Sequence, residues 1–351
     1  MNILLTCAGR RNYLVRYFQE TLQRRGRVLA CDAADHAPAF AEADCGFVVP
    51  AMDHPDYFPA LLAICREEAV SLVVSVNDVE LTGLAEMAPS FRAAGTIVVV
   101  AAPGIVALCL DKWRAFQWLR EANIATPNTW LSLAKVRRAL SAGEIAFPLL
   151  VKPRWGTSSV GVERVETERE LELAHEWVTI QTTRGMLGKL RRADAECAVI
   201  IQEWASGQEY GLDIVHDLQG QYAGTLARRK LIMRSGNTDR AVSVVDPELE
   251  RLGETIGQRL GHIGALDVDV MVGPAGVSVL DLNPRLGGGY PFSHLAGANL
   301  PAALLAWAAG AKADPSWLRC RPDVLGCKFD ELVVMNTGGP ASSQPLEAAA
   351  S

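Results

Sequence analysis

The segment Asp281-Leu282-Asn283-Pro284-Arg285 ends an alternating run, residues 276–282, that reads as a strand. Asp281 and Asn283 are two apart, so on extended backbone both side chains point to one face. A second run, residues 265–272, precedes it, and Gly273-Pro274-Ala275-Gly276 between the two reads as a hairpin turn. Asp269 on that first strand is placed to face the same side. Two carboxylates and an amide oxygen form a hard-oxygen set of the kind Mg²⁺ accepts while keeping water and substrate phosphates. Arg285, two further on, adds a planar fork for a phosphate oxygen. A solvated strand end with rim ion pairs uses the same residue types. Asp269 and the following Gly287-Gly288-Gly289 favour the metal reading.

Upstream, Val151-Lys152-Pro153-Arg154-Trp155-Gly156-Thr157-Ser158-Ser159-Val160-Gly161 sets a lysine at the end of an apolar strand, before a run of small residues. Such a run lets backbone N–H groups, with Ser158 and Ser159, close over phosphates. It is not a Walker loop, because the lysine precedes the glycines. A ligand-free glycine-rich hairpin remains the plain alternative. Next come Gln202-Glu203-Trp204-Ala205, an extended segment able to offer backbone groups to an adenine edge, and Glu209, six beyond Glu203, suited to ribose hydroxyls.

The first hundred residues alternate strand and helix patterns: strands at 3–7, 28–31, 47–49, 72–76 and 96–101, helices at 13–25, 57–68 and 81–88. That order predicts a doubly wound, mostly parallel sheet with ligands beyond the strands' carboxyl ends. Cys7 to Arg11, Asp32 and Asn77-Asp78-Val79-Glu80 then share one rim. A dinucleotide site is not supported, since Cys7-Ala8-Gly9-Arg10-Arg11 has one glycine where that fingerprint needs three. Beyond residue 110 the pattern predicts helices at 111–121, 168–190, 247–260 and 301–310, with antiparallel strands among them.

At 351 residues the chain is long enough for two or three domains. Its 49% apolar and 21% charged composition is that of a soluble globular protein, and a net charge of −6 gives no general pull toward nucleic acid or an anionic membrane. The eight cysteines stand singly, with no Cys-x-x-Cys pair, and fit reduced thiols in apolar surroundings. No membrane-spanning apolar run and no signal peptide are recognisable, so a cytoplasmic location is expected.

In their order these motifs resemble the ATP-grasp superfamily, in particular its carbamoyl-phosphate-synthase-like and carboxylate–amine ligase branch, over roughly residues 1–310. The resemblance implies an α/β chain in which a Rossmann-like pre-ATP-grasp domain, residues 1–110, precedes an ATP-grasp fold. The fold's N-terminal lobe would span 111–201 and its C-terminal lobe 202–310, with an extension over 311–351 that is disordered at its end. It implies ATP with Mg²⁺ (or Mn²⁺) as cofactors. Lys112, Lys152, Ser158, Ser159, Gln202, Glu203, Trp204 and Glu209 would hold nucleotide, and Asp269, Asp281 and Asn283 the metal. Arg285, Lys152 and Asn283 would serve catalysis. The metal acids are Asp where the family commonly has longer side chains, which would draw a metal toward the strands.

The reaction implied begins with a carboxylate attacking the γ-phosphoryl group of ATP; an amine then displaces phosphate and forms an amide or peptide bond. A carboxylase, an acyl-phosphate-forming enzyme and a non-catalytic nucleotide-binding regulator are the alternatives. No glutaminase region or second half is visible in the roughly 40 residues past 310, which speaks against carbamoyl phosphate as product. Partners are expected to be a small carboxylate and a small amine, without nucleic acid or membrane, and a homodimer is plausible. Candidates for the substrate end are Asp78 and Glu80 toward an amino group, and Arg228, Arg234 and Arg240 flanking a loop-like stretch, 235–239, that would close on a carboxylate. His294, close after the glycine run, is a further pocket candidate.

Overall fold

The computed structural model describes residues 1–156, 159–184 and 197–335. The amino-terminal part consists of β1 (Asn2–Thr6), α1 (Asn12–Leu22), β2 (Val28–Asp32), β3 (Cys45–Val48), α2 (Tyr57–Glu67), β4 (Val70–Ser75), α3 (Leu81–Ala93) and β5 (Ile97–Val99). Its five strands are parallel, in the order β3-β2-β1-β4-β5. Ile3, Leu4 and Leu5 are all buried because helices cover both faces of the sheet. α1 contributes Leu14, Val15, Phe18 and Leu22 to one side, the i, i+4 stripe that its sequence shows.

Two short helices, α4 (Pro103–Cys109) and α5 (Lys112–Glu121), lead into a four-stranded antiparallel sheet. That sheet consists of β6 (Thr129–Trp130), β7 (Leu149–Pro153), β8 (Glu163–Val165) and β9 (Val199–Glu203), with α6 (Leu133–Ser141) and α7 (Glu168–Arg184) packed on it. The helix expected over 168–190 is present to Arg184, and 185–190 fall outside the described residues.

A six-stranded antiparallel sheet follows: β10 (Gln208–His216), β11 (Tyr222–Arg234), β12 (Asn237–Val244), β13 (Gly264–Gly273) and β14 (Gly276–Asn283), joined at one edge by β15 (Leu325–Cys327). Between β12 and β13 runs α8 (Pro247–Leu260), capped by the Asp246 carboxylate on the N–H groups of Glu248 and Leu249 and ended by Gly261 at φ 69°. After β14 come α9 (Tyr290–Leu295) and α10 (Leu300–Ala308), the latter packed on α1.

One expectation needs correction. The stretch 235–239 is no open loop: β11 and β12 run on to Arg234 and from Asn237, and Ser235 and Gly236, both at positive φ, make the tight turn of a long hairpin. Within the extension from residue 311, β15 pairs with β12 and completes the six-stranded sheet. The disorder expected beyond 336 falls outside the described residues. Among the described residues, no helix is long and apolar enough to cross a membrane, and all the cysteines are free thiols, from buried Cys31 to exposed Cys327.

Candidate active site

Strand parity builds the site. On β10, β11, β13 and β14 one set of alternating residues, Leu212, Ile214, Ala227, Leu266, Val268, Val270 and Leu282, enters the core. The opposite set places Glu209, Gly211 and Asp213 beside Arg228 and Lys230, and these beside Asp267 and Asp269. Asp269 stands directly across from Asp281, and Asp267 across from Asn283. A bulge at Leu280 shifts the register, which is why Val279 and Leu282, three apart, both point inward.

These acids are met by cations from three directions. Lys112, in the first turn of α5, bonds Asp281. Lys230 donates to Glu209 at 2.6 Å and to Asp269 at 2.5 Å. Arg228, 1% exposed, reaches Asp213 at 2.6 Å and Asp267 at 2.8 Å. Arg285 places Nε 2.9 Å from Asp78 of the first domain and Nη1 3.6 Å from Asp267. The Arg285–Asp78 contact is close but poorly directed, since neither atom has a hydrogen-bond partner of good geometry.

Glycine makes this crowding possible. A Cβ at Gly211 would lie 3.0 Å from the Arg228 guanidinium, which crosses β10 at that point to reach β13. Cβ atoms at Gly289 and Gly287 would lie 2.2 Å from Arg228 and from the Asp267 carboxyl. The glycine run expected beside a metal is therefore the cover of a buried ion-pair cluster.

The two lysine segments are locked to each other. Asp111 caps α5 by accepting from Trp113 and Arg114, and the same carboxylate takes two hydrogen bonds from Arg154, at 2.8 and 2.7 Å. The Lys112 N–H also donates to the Arg154 carbonyl, so the start of α5 is fixed to the end of β7. Burial lowers the Lys152 ammonium to about 8, against the attraction of Asp281. Burial and Asp269 raise Asp267 to about 6, against Arg228 and Arg285, whereas Lys230 holds Asp269 low despite its burial.

A cavity of about 90 Å³ is lined by Ser159, Arg228, Lys230, Asp269, Asp281, Asn283, Arg285 and the β11–β12 tip. A second cleft, about 460 Å³, is bordered by Phe147, Glu203, Trp204, Ala205, Met271 and Ser278. Met271 shares the face of Asp269, so the cleft adjoins the outer end of the acid-bearing face. Gln202 and Ile201 lie within a strand paired on both sides, the Gln202 amide donates to Thr129 at 2.8 Å, and the Glu203 N–H is used by Asn128. Backbone open to a ligand thus begins at Trp204 and Ala205, one or two residues later than the sequence suggests.

Several expected residues lie elsewhere. Glu80 is 1% exposed inside the first domain and accepts from Thr6, Ser75 and Tyr57, so it faces no substrate. His294 stacks on Tyr17 with centroids 3.6 Å apart, in the groove between α1 and α10. Arg234 pairs on the surface with Asp239 and Asp330, and Arg240 is exposed where β12 meets β15. Arg228 does line the site cavity, but it is paired with Asp213 and Asp267 within the protein. Ser158 lies outside the described residues. Asp111, Arg154, Gly211, Asp213 and Asp267 were not legible as site residues. Asp267, two before Asp269, and Asp111, just ahead of a helix, did carry a signal, in strand period and capping position.

The donor set suits a Mg²⁺ ion shared with substrate phosphates better than an ion caged by protein. It offers two facing carboxylates and the Asn283 amide, whose nitrogen donates to the Asp267 carbonyl and leaves the oxygen as ligand. Among the described residues, no group of three or more His, Cys, Asp or Glu side chains forms a cage.

A parallel α/β domain followed by two antiparallel lobes, with lysines on one and acids on the other, defines the ATP-grasp class. Over residues 3–99 the chain matches the family model described as PylC-like, N-terminal domain, and over 196–324 the one described as ATP-grasp in the biosynthetic pathway with Ter operon. Residues 196–324 thus belong to an ATP-grasp family. Among solved structures it is similar to a biotin carboxylase–β,γ-ATP complex from Campylobacter jejuni, with TM-score 0.73 and 16% identity over 93% of this chain and 75% of that one. The biotin carboxylase domain of Hydrogenobacter thermophilus 2-oxoglutarate carboxylase, bound to MgADP, ADP and bicarbonate, gives 0.69 and 15% over 92% and 73%. An L-amino acid ligase from Bacillus licheniformis gives 0.64 and 17% over 87% and 74%.

Proposed function

We propose that this protein is an ATP- and Mg²⁺-dependent carboxylate–amine ligase, forming an amide or peptide bond through an acyl phosphate and releasing ADP and phosphate. The observation that carries the reading is the single sheet face on which Asp269, Asp281 and Asn283 converge, with Lys112 on one acid and Arg285 at the border with the first domain. Adenine would lie against Met271 and Trp204, the ribose at Glu209, and the phosphates toward Lys112 and Lys152. Mg²⁺, when bound, supplies charge neutralisation across the transferring phosphoryl group. Lys152 and Lys112 offer fixed positive charge to the phosphates, and Arg285 orients the acyl oxygen from the opposite side. Asp78, whose carboxylate lies against Arg285, would receive the incoming ammonium. The β11–β12 tip and Ser159 cover the reacting end, which limits hydrolysis of the acyl phosphate.

A carboxylase is the second reading, favoured by the likeness to biotin carboxylases. A phosphate-release screen with ATP, Mg²⁺ and pairs of amino acids and small carboxylates separates the two. The ligase reading expects ADP and phosphate in equal amounts only when carboxylate and amine are both present. Turnover driven by bicarbonate without amine would shift the assignment to the carboxylase. Nucleotide binding with no turnover under any pair would refute both.

A further inference from the structure

The sheet face that holds the metal acids also holds a cation of its own. Lys230 sits in the middle of β11, flanked by β10 and β12, and its side chain is 6% exposed. Its ammonium is pinned between Glu209 of β10 and Asp269 of β13, at 2.6 and 2.5 Å. Its side chain thus crosses β10 to reach β13, as that of Arg228 does over Gly211. Lys112 differs in each respect. It reaches in from a helix and touches one acid. Lys112 is thus the partner of Asp281 alone, and Lys230 that of Asp269.

We propose that the Lys230 ammonium occupies the place of a second divalent ion, so that the chain takes one divalent ion with its nucleotide, at Asp281 and Asn283. This rests on the ATP-site reading above. Three acids point into the nucleotide region from this face, Glu209, Asp269 and Asp281, and two of them share one lysine. A second Mg²⁺ at Asp269 would have to displace an ammonium held by two carboxylates, or lie against it. A fixed charge also needs no metal concentration to be present. Lys230 is thus a positioning residue: it keeps Glu209 and Asp269 aligned, and it sets how many ions the site admits.

The test is a count of bound Mn²⁺ by electron paramagnetic resonance, at a saturating non-hydrolysable ATP analogue whose own binding is measured by calorimetry. Wild-type protein is expected to hold one Mn²⁺ per chain. Lys230→Met, with similar bulk and no charge, is expected to bind the analogue and hold two. Two ions on the wild type would overturn the proposal whether or not the variant folds. A folded variant that binds analogue and still holds one ion would overturn it as well. Failure of the analogue to bind wild-type protein would instead remove the ATP-site reading, and this inference with it.

Discussion

Arg154 grips Asp111 with two hydrogen bonds, at 2.8 and 2.7 Å, and thereby ties the strand that bears Lys152 to the helix that bears Lys112. Both partners are nearly buried, and Asp111 also serves as the helix cap. Two lysines from separate elements can hold one polyphosphate only if their separation is set before it binds.

Arg154→Met is accordingly expected to cost about 1–3 kcal/mol, because the buried carboxylate loses two hydrogen bonds and its nearer cation and keeps only Arg114, at 3.6 Å. Asp111→Asn, which keeps the cap, should cost less. Thermal melts give the stability, and ATP affinity measured well below the melting temperature should fall in Arg154→Met by more than tenfold. Unchanged affinity would show that the clasp serves stability alone.

Gly211→Ala and Gly289→Ala test the packing over Arg228. The guanidinium is held by Asp213 and Asp267, so it cannot move aside without breaking a buried pair. Each substitution is expected to destabilise the protein by about 1–3 kcal/mol, with Gly289→Ala the worse because its Cβ would approach to 2.2 Å against 3.0 Å. A melting temperature equal to wild type for both would refute the close approach.

Nucleotide affinity should depend on pH through Lys152. Burial sets its ammonium at about 8, so the phosphate-binding charge is present below that value and lost as pH rises through it. The dissociation constant is expected to grow by up to about tenfold per unit above it. Stability moves the opposite way, since between about 8 and the ordinary lysine value near 10.4 the unfolded chain holds more protons than the folded one. Lys152→Arg, always charged, should flatten the affinity profile. If it does not, the titration belongs to another group.

Glu80 gives a clean separation of structure from function. Three hydroxyls, from Thr6, Ser75 and Tyr57, donate into its buried carboxyl group. Glu80→Ala leaves them without an acceptor and is expected to cost on the order of 2–4 kcal/mol, with KM values for ATP and both co-substrates unchanged. Asp78→Asn, which keeps the shape beside Arg285, should instead raise the KM of the amine at temperatures well below the melting point. A raised amine KM in folded Glu80→Ala protein would return Glu80 to the substrate site.

Local rules carried the elements and the acid-bearing sheet face. The strand period of two placed Asp281 with Asn283, the turn at residues 273–276 brought Asp269 across from them, and the alternation of the first hundred residues specified a parallel sheet. Capping chemistry likewise defined α8 from Asp246 to Gly261. Such features depend on neighbours a few residues apart, so the amino-acid string determines them alone. Tertiary structure decided which charges meet. Lys230 with Asp269, Arg228 with Asp213 and Asp267, and Arg154 with Asp111 join residues on different elements, with partners 15 to 43 positions apart. Nothing in spacing distinguishes a buried, doubly paired arginine from an exposed one such as Arg234 or Arg240. Strand order, and the missing side chain at Gly211, made that difference by fixing which acid each cation could reach.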